Sequence, residues 1–219
     1  MREEKKEKMK RVLCFGDSNT WGYNCVAGGR FGEEERWTGI LQRKLGAEYK
    51  IIEEGLCGRT TVFEDPLMPG RNGLKYFEPM LCSHFPVDFV IMMLGTNDMK
   101  RIFGAGSEES ANGVHRLLLR WKELLQSEQQ KECPFVVVSP IRIHTAKNGN
   151  YMYGFDAQSE EEAKKFARDF KMIADRHQCL FVDASEIVEP SVDDGVHLDQ
   201  EGHAKLGECL AEVVVRYCE

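Results

Sequence analysis

Apolar residues in this chain follow two rhythms. Five short runs are mostly near-continuous: RVLCF (11–15), KIIEE (50–54), DFVIMML (88–94), PFVVVS (134–139) and CLFVDA (179–184). Strands buried on both faces read this way. Between the runs, apolar residues recur three or four apart, as on one face of a helix. Trp37, Ile40, Leu41 and Leu45 mark one such stretch, and Val114, Leu117, Leu118, Trp121, Leu124 and Leu125 a second. Phe166, Phe170, Ile173 and Ala174 mark a third, and Leu206, Leu210, Val213, Val214 and Tyr217 the last. Strand–helix alternation of this kind predicts an α/β fold, a five-stranded parallel sheet with helices on both faces. Thr145–Gln158 is polar, aromatic and glycine-containing, and reads as a surface loop long enough to shape a site.

Sheets of this class bind ligands beyond the carboxyl ends of their strands. The residues just after each run are therefore the candidates for chemistry. Gly16-Asp17-Ser18-Asn19 comes after the first, and Gly55-Leu56-Cys57-Gly58-Arg59-Thr60-Thr61 after the second. Gly95-Thr96-Asn97-Asp98 comes after the third, and Asp193 to Asp199, with His197 among them, lies shortly after the fifth. All would gather along one edge.

A serine hydroxyl is a poor nucleophile until a base takes its proton. Ser18 has no base near it in sequence, but folding can bring His197 to it. Asp194, three residues before His197, can hold one imidazole nitrogen so that the other faces Ser18. Acyl transfer also needs donors aimed at the developing oxyanion, and the Ser18 N–H, the Gly58 N–H and the Asn97 amide are candidates. Each residue also has a plainer reading. Ser18 and Asp17 suit a helix cap and a turn, Asn97 or Asp98 can cap the next segment, and Gly58 can be a turn glycine. His197 can be a loop histidine; His115 and His177 fall on helices, where a solvated face is the default. Asp17 and Asp98 are read as structural, and Cys57, with no adjacent base, as packing.

Taken in order, GDSN, the glycine of GLCGRTT, GTND and DGVH resemble the four sequence blocks of the SGNH (GDSL-type) hydrolases. They span Gly16 to His197. WGYN, GGRFGEEERWTGIL and DGVHLDQEGH are similar to the arylesterase and acyltransferase branch. The resemblance implies a flavodoxin-like three-layer α/β/α fold and a serine esterase for short-chain acyl esters. It implies Ser18, Asp194 and His197 as catalytic residues and Ser18, Gly58 and Asn97 as the oxyanion hole. It also implies homo-oligomers, a capacity for acyl transfer to alcohols, no cofactor and no metal, and it suggests Trp21 and Trp37 as walls of an acyl or aryl pocket. Asn19 stands where the family often has leucine, which leaves substrate preference open. A carbohydrate O-acetyl esterase would carry the same machinery. Arg59 is left without a role, between substrate, neighbouring subunit and surface carboxylate.

Composition narrows the partners. The 219 residues suit one domain, and the net charge of −7 weighs against nucleic acid or an anionic membrane. The opening MREEKKEKMK lacks an apolar h-region and reads as a charged tail over residues 1–10, ahead of one domain over 11–219. No run approaches the ~20 apolar residues of a membrane span. The eight cysteines then read as reduced thiols in a cytoplasmic protein, and no histidine or cysteine spacing fits a zinc site. A flavodoxin-like binding module is the rival of another class, but no phosphate-cradling glycine motif is present.

Overall fold

Five parallel strands form one sheet in the computed structural model, which describes residues 9–218. The strands are β1 (Lys10–Gly16), β2 (Tyr49–Gly55), β3 (Phe89–Met93), β4 (Phe135–Ser139) and β5 (Leu180–Asp183). They lie in the order β2-β1-β3-β4-β5. The chain moves one way from β1 to β2, then returns past β1 to β3, so a switch point opens between the carboxyl ends of β1 and β3. Gly16 is opposite Met93 in that register.

Successive strand residues feed opposite faces, the period-two consequence of the pleat. Leu13, Phe15, Val90, Met92, Phe135 and Val137 enter one core cluster. Val12, Cys14, Phe89, Ile91, Met93, Val136 and Val138 enter the other. The first cluster is covered by α3 (Gly73–His84), α4 (Ser107–Ser127) and α6 (Phe166–His177). The second is covered by α2 (Trp37–Leu45) and α7 (Gln200–Cys218). Two short helices complete the set: α1 (Ser18–Trp21), and α5 (Ala157–Ala163), which starts within the expected 145–158 loop.

Four helices fall where the spacing puts them, with one correction. Tyr217 is exposed, and Val213 is only half-buried, packed against the edge of the second core cluster. Helix α3 had no sequence expectation: its buried face is only Gly73, Phe77 and Leu81, and Pro79 interrupts the pattern. Of CLFVDA, Leu180–Asp183 becomes an edge strand whose four residues are all half-buried, while Ala184 after it is buried. The expected charged tail falls on residues 1–8, outside the described residues, and on two residues that the structure does describe. Of these, Lys10 already belongs to β1, paired with Tyr49, so the ordered sheet begins one residue before the expected boundary. Among the described residues no helix is long and apolar enough to cross a membrane.

Candidate active site

The run RVLCFG ends abruptly because Asp17 caps a new helix. Its Oδ1 accepts the Asn19 N–H at 2.9 Å, and Ser18 becomes the first residue of α1. A first helical residue keeps an N–H with no intrahelical acceptor. Ser18 is only 7% exposed. His197 Nε2 stands 2.8 Å from Ser18 Oγ, and His197 Nδ1 stands 2.6 Å from Asp194 Oδ2. Ser18 and His197, 179 residues apart in the chain, are hydrogen-bonding neighbours.

The aspartate is itself held. Asp194 Oδ1 accepts the N–H groups of Val196 and His197, both at 2.9 Å. Burial works to raise its pKa, but the bonds from His197 and the Val196 N–H hold it below the ordinary carboxylate value. Asn19 secures the other side of the histidine. Its Nδ2 donates to Val196 O at 3.2 Å, and its Oδ1 accepts the Leu198 N–H at 2.9 Å. The tilted ring of Tyr23 lies 4.6 Å from the imidazole, centroid to centroid.

Gly58 and Asn97 come to the same place from β2 and β3. Gly58 has φ +81°, a left-handed conformation that suits glycine, and lines the cavity next to Ser18. Asn97 sits in the turn Thr96–Met99 at the carboxyl end of β3; its Nδ2 donates one hydrogen to Arg59 O at 3.2 Å and has a second to give. Asp98 locks these two loops together. Its carboxylate accepts the Thr61 N–H at 2.9 Å, the Thr61 hydroxyl at 2.6 Å and the Ser110 hydroxyl at 2.6 Å. Burial pushes both Asp98 and Asp17 up to about 6.

The hydroxyl opens onto a cavity of about 570 Å³. Ser18, Gly58, Asn97 and His197 form its polar end, and Leu67, Met68, Ile102, Met152, Tyr153 and Phe155 form much of the wall. Four of these side chains, Leu67, Met68, Ile102 and Tyr153, are exposed at its rim. The 145–158 loop does shape the site, through its residues 152–155. The loop carrying Leu67 and Met68 and the segment carrying Lys100 to Ile102 were not anticipated. Their signal was apolar residues stranded in glycine-containing text, DPLMPGRNG and KRIFGAG.

Several expectations need correction. Neither tryptophan lines this cavity. Trp37 is 1% exposed in the core, its indole N–H donating to Asn19 O at 3.0 Å, and Trp21 sits under the Arg30 guanidinium at 5.3 Å. Asn19 faces the histidine loop rather than the cavity, so it gives no direct reading of substrate. Arg59 is buried over the Phe15 ring at 4.3 Å and donates to the strand-end carbonyls of Gly16, at 2.8 Å, and Glu54; burial pulls its pKa down to about 10. His115 and His177 do not face solvent separately: they bond each other at 2.6 Å across α4 and α6. Cys57 lines the cavity, and burial raises its thiol pKa, away from thiolate reactivity. Among the described residues no group of three or more histidine, cysteine, aspartate or glutamate side chains is placed to hold a metal ion.

Comparison with known proteins agrees with this architecture. An aryl esterase from M. smegmatis is 34% identical and superposes with a TM-score of 0.88, over 95% of this chain and 99% of that one. A carbohydrate acetylesterase from Sinorhizobium meliloti is also 34% identical, with a TM-score of 0.86 over 94% of this chain and 99% of that one. An acetylxylan esterase from Xylanibacter ruminicola is 24% identical over 225 residues, covering 95% of this chain and 44% of that protein. This chain spans less than half the length of the curated relatives it matches. Residues 14–205 match the model of one family throughout, from the first strand to the last helix, and the chain belongs to that family, the GDSL-like lipase/acylhydrolases.

Proposed function

We propose that this protein is a serine esterase that cleaves short-chain acyl esters of aryl or alkyl alcohols through an acyl-enzyme. The observation that carries the reading is the chain Asp194–His197–Ser18, with 2.6 and 2.8 Å links, at the polar end of an apolar cavity.

Ser18 Oγ attacks the ester carbonyl carbon while His197 Nε2 takes the hydroxyl proton. The N–H groups of Ser18 and Gly58 and the Asn97 amide receive the negative oxygen. Collapse breaks the bond to the leaving alkoxide, which takes the proton from His197. Water then enters, gives a proton to His197 and attacks the acyl carbon; Ser18 leaves as the alcohol and the acid departs. An alcohol in place of that water completes an acyl transfer. Asp194 orients the imidazole and stabilises its charged form. A charged imidazole cannot act as base, so turnover depends on His197 being neutral when Ser18 gives up its proton.

Similarity to both an aryl esterase and a carbohydrate acetylesterase keeps a sugar-acetate reading in view. The wall of Leu67, Met68, Ile102, Met152 and Phe155 favours the aryl or alkyl reading, because a sugar would desolvate its hydroxyls against carbon there. Turnover of phenyl acetate against acetate release from acetylated xylose separates the two. Mass spectrometry after fluorophosphonate treatment tests the mechanism: the adduct is expected on Ser18, and active protein that takes no adduct there contradicts it. The reading carries with it a homo-oligomer, measurable by light scattering, and a cytoplasmic location, measurable by fractionation.

A further inference from the structure

The cavity wall is mostly carbon, yet it holds an ammonium. Lys100 follows the turn that bears Asn97 and lines the cavity with Ser18 and His197. Its place is built by the loop opposite. The Lys100 stem lies along Gly154, where a β-carbon would stand 3.4 Å from Lys100 Cγ, and the Arg101 N–H donates to Gly154 O at 2.9 Å. The side chain is half-buried, and burial lowers its pKa.

Three carboxylates lie near Lys100; Asp65 also lines the cavity, and Asp17 Oδ2 is buried with no hydrogen-bond partner. Asp65 Oδ1 accepts the Leu67 and Met68 N–H groups at 2.8 and 3.1 Å. Asp98 is tied to Thr61 and Ser110, and Asp17 to the Asn19 N–H. Among the described residues none of the three is within the 4.0 Å of an ion pair with Lys100. Arg101, the other cation lining the cavity, is largely exposed and faces Asp156 at 3.9 Å. An ammonium beside apolar walls, with no anion in ion-pair contact, offers a carboxylate delivered into the cavity a charge-assisted donor.

We propose that Lys100 is an anion subsite of this cavity and that the favoured substrates are esters whose acyl or leaving group carries a carboxylate. This rests on the esterase reading of Ser18. The apolar wall takes the body of such a molecule, the polar end takes its ester carbonyl, and Lys100 takes its charge.

Two matched pairs test it: 4-acetoxybenzoate against its methyl ester, and monoethyl glutarate against ethyl pentanoate. The first pair places the charge on the leaving group, the second on the acyl group. The wild type is expected to prefer the anionic member of at least one pair by kcat/KM. In Lys100→Met that preference falls about tenfold or more, the scale of one charge-assisted hydrogen bond. Lys100→Arg, which keeps the charge, retains it, and thermal melts establish that both variants fold. Turnover of the neutral esters with no anionic preference, or a preference unmoved in Lys100→Met, overturns the subsite alone. No turnover of any of the four esters together with no adduct on Ser18 overturns the esterase reading and the subsite with it.

Discussion

Asn19 brackets His197: one amide bonds the carbonyl of the residue before the imidazole and the N–H of the residue after it. The residue next to the candidate nucleophile thereby positions the candidate base. Its own carbonyl accepts the Trp37 indole, which anchors the arrangement to the core. Replacing it by the leucine common in this family leaves two buried backbone groups unpaired, at about 1–3 kcal/mol each. In Asn19→Leu, kcat is expected to fall roughly tenfold or more, with KM near the wild-type value and slower fluorophosphonate labelling of Ser18. A variant that melts earlier but keeps its kcat would show that Asn19 serves folding alone.

Asp194 accepts from the imidazole and from two backbone N–H groups. Asp194→Asn keeps the size of the side chain but offers the ring the wrong partner for its tautomer. Turnover should fall by roughly 10⁴-fold. Steady-state kinetics on phenyl acetate reads this directly, and a loss below tenfold would remove Asp194 from the mechanism.

Asn97 has one amide hydrogen on Arg59 O and one left for a ligand. Removing an oxyanion donor lowers turnover by roughly 10²–10³-fold. Asn97→Ala should therefore lose kcat on that scale while the Ser18–His197 pair stays intact. Asn97→Asp, which repels an oxyanion, should do worse. Equal activity of both variants with wild type would leave Asn97 only its structural bond.

Stability at acid pH should turn on His203. It lies buried on α7, accepts the Trp37 N–H at Nδ1 (3.3 Å), packs edge-on against Phe31, and is held neutral by burial, which lowers its pKa to about 3. An unfolded histidine protonates near 6.5. Between those values the unfolded chain binds more protons than the folded one, so stability is fully present above about 6.5 and is lost as pH falls toward 3. The loss is on the order of 3–5 kcal/mol over the whole window. Asp17 and Asp98, raised to about 6, act in the opposite sense, so the informative quantity is the difference between wild type and His203→Gln. Urea midpoints from pH 7 to 4 should fall less steeply in the variant; parallel curves would exclude His203 as the source.

The legible part of this protein is the part written locally. A strand buried on both faces must be a short apolar run, and a strand end that meets a ligand must turn sharply, so RVLCF and GDSN can be read without coordinates. Asp194 and His197 are equally local: three residues apart, the carboxylate reaches the ring and two N–H groups of the same turn. Pocket walls are not local. Trp37 looks as suitable for a pocket as Phe155, and only the packing of α2 on α7 puts the first in the core while the 145–158 loop puts the second at the cavity.

Chain order and residue type thus suffice for the alternating architecture, the strand-end clusters and the Asp194–His197 unit, because each depends on neighbours within a turn or a strand. The link from Ser18 to His197, the Asn19 bracket, the pairing of His115 with His177 and the seat of Lys100 against Gly154 depend on the order β2-β1-β3-β4-β5 and on which loops then share an edge. Contacts between residues tens to nearly two hundred positions apart leave no periodic trace in the chain. They exist only once burial of the two apolar faces has chosen one packing and brought the loops together.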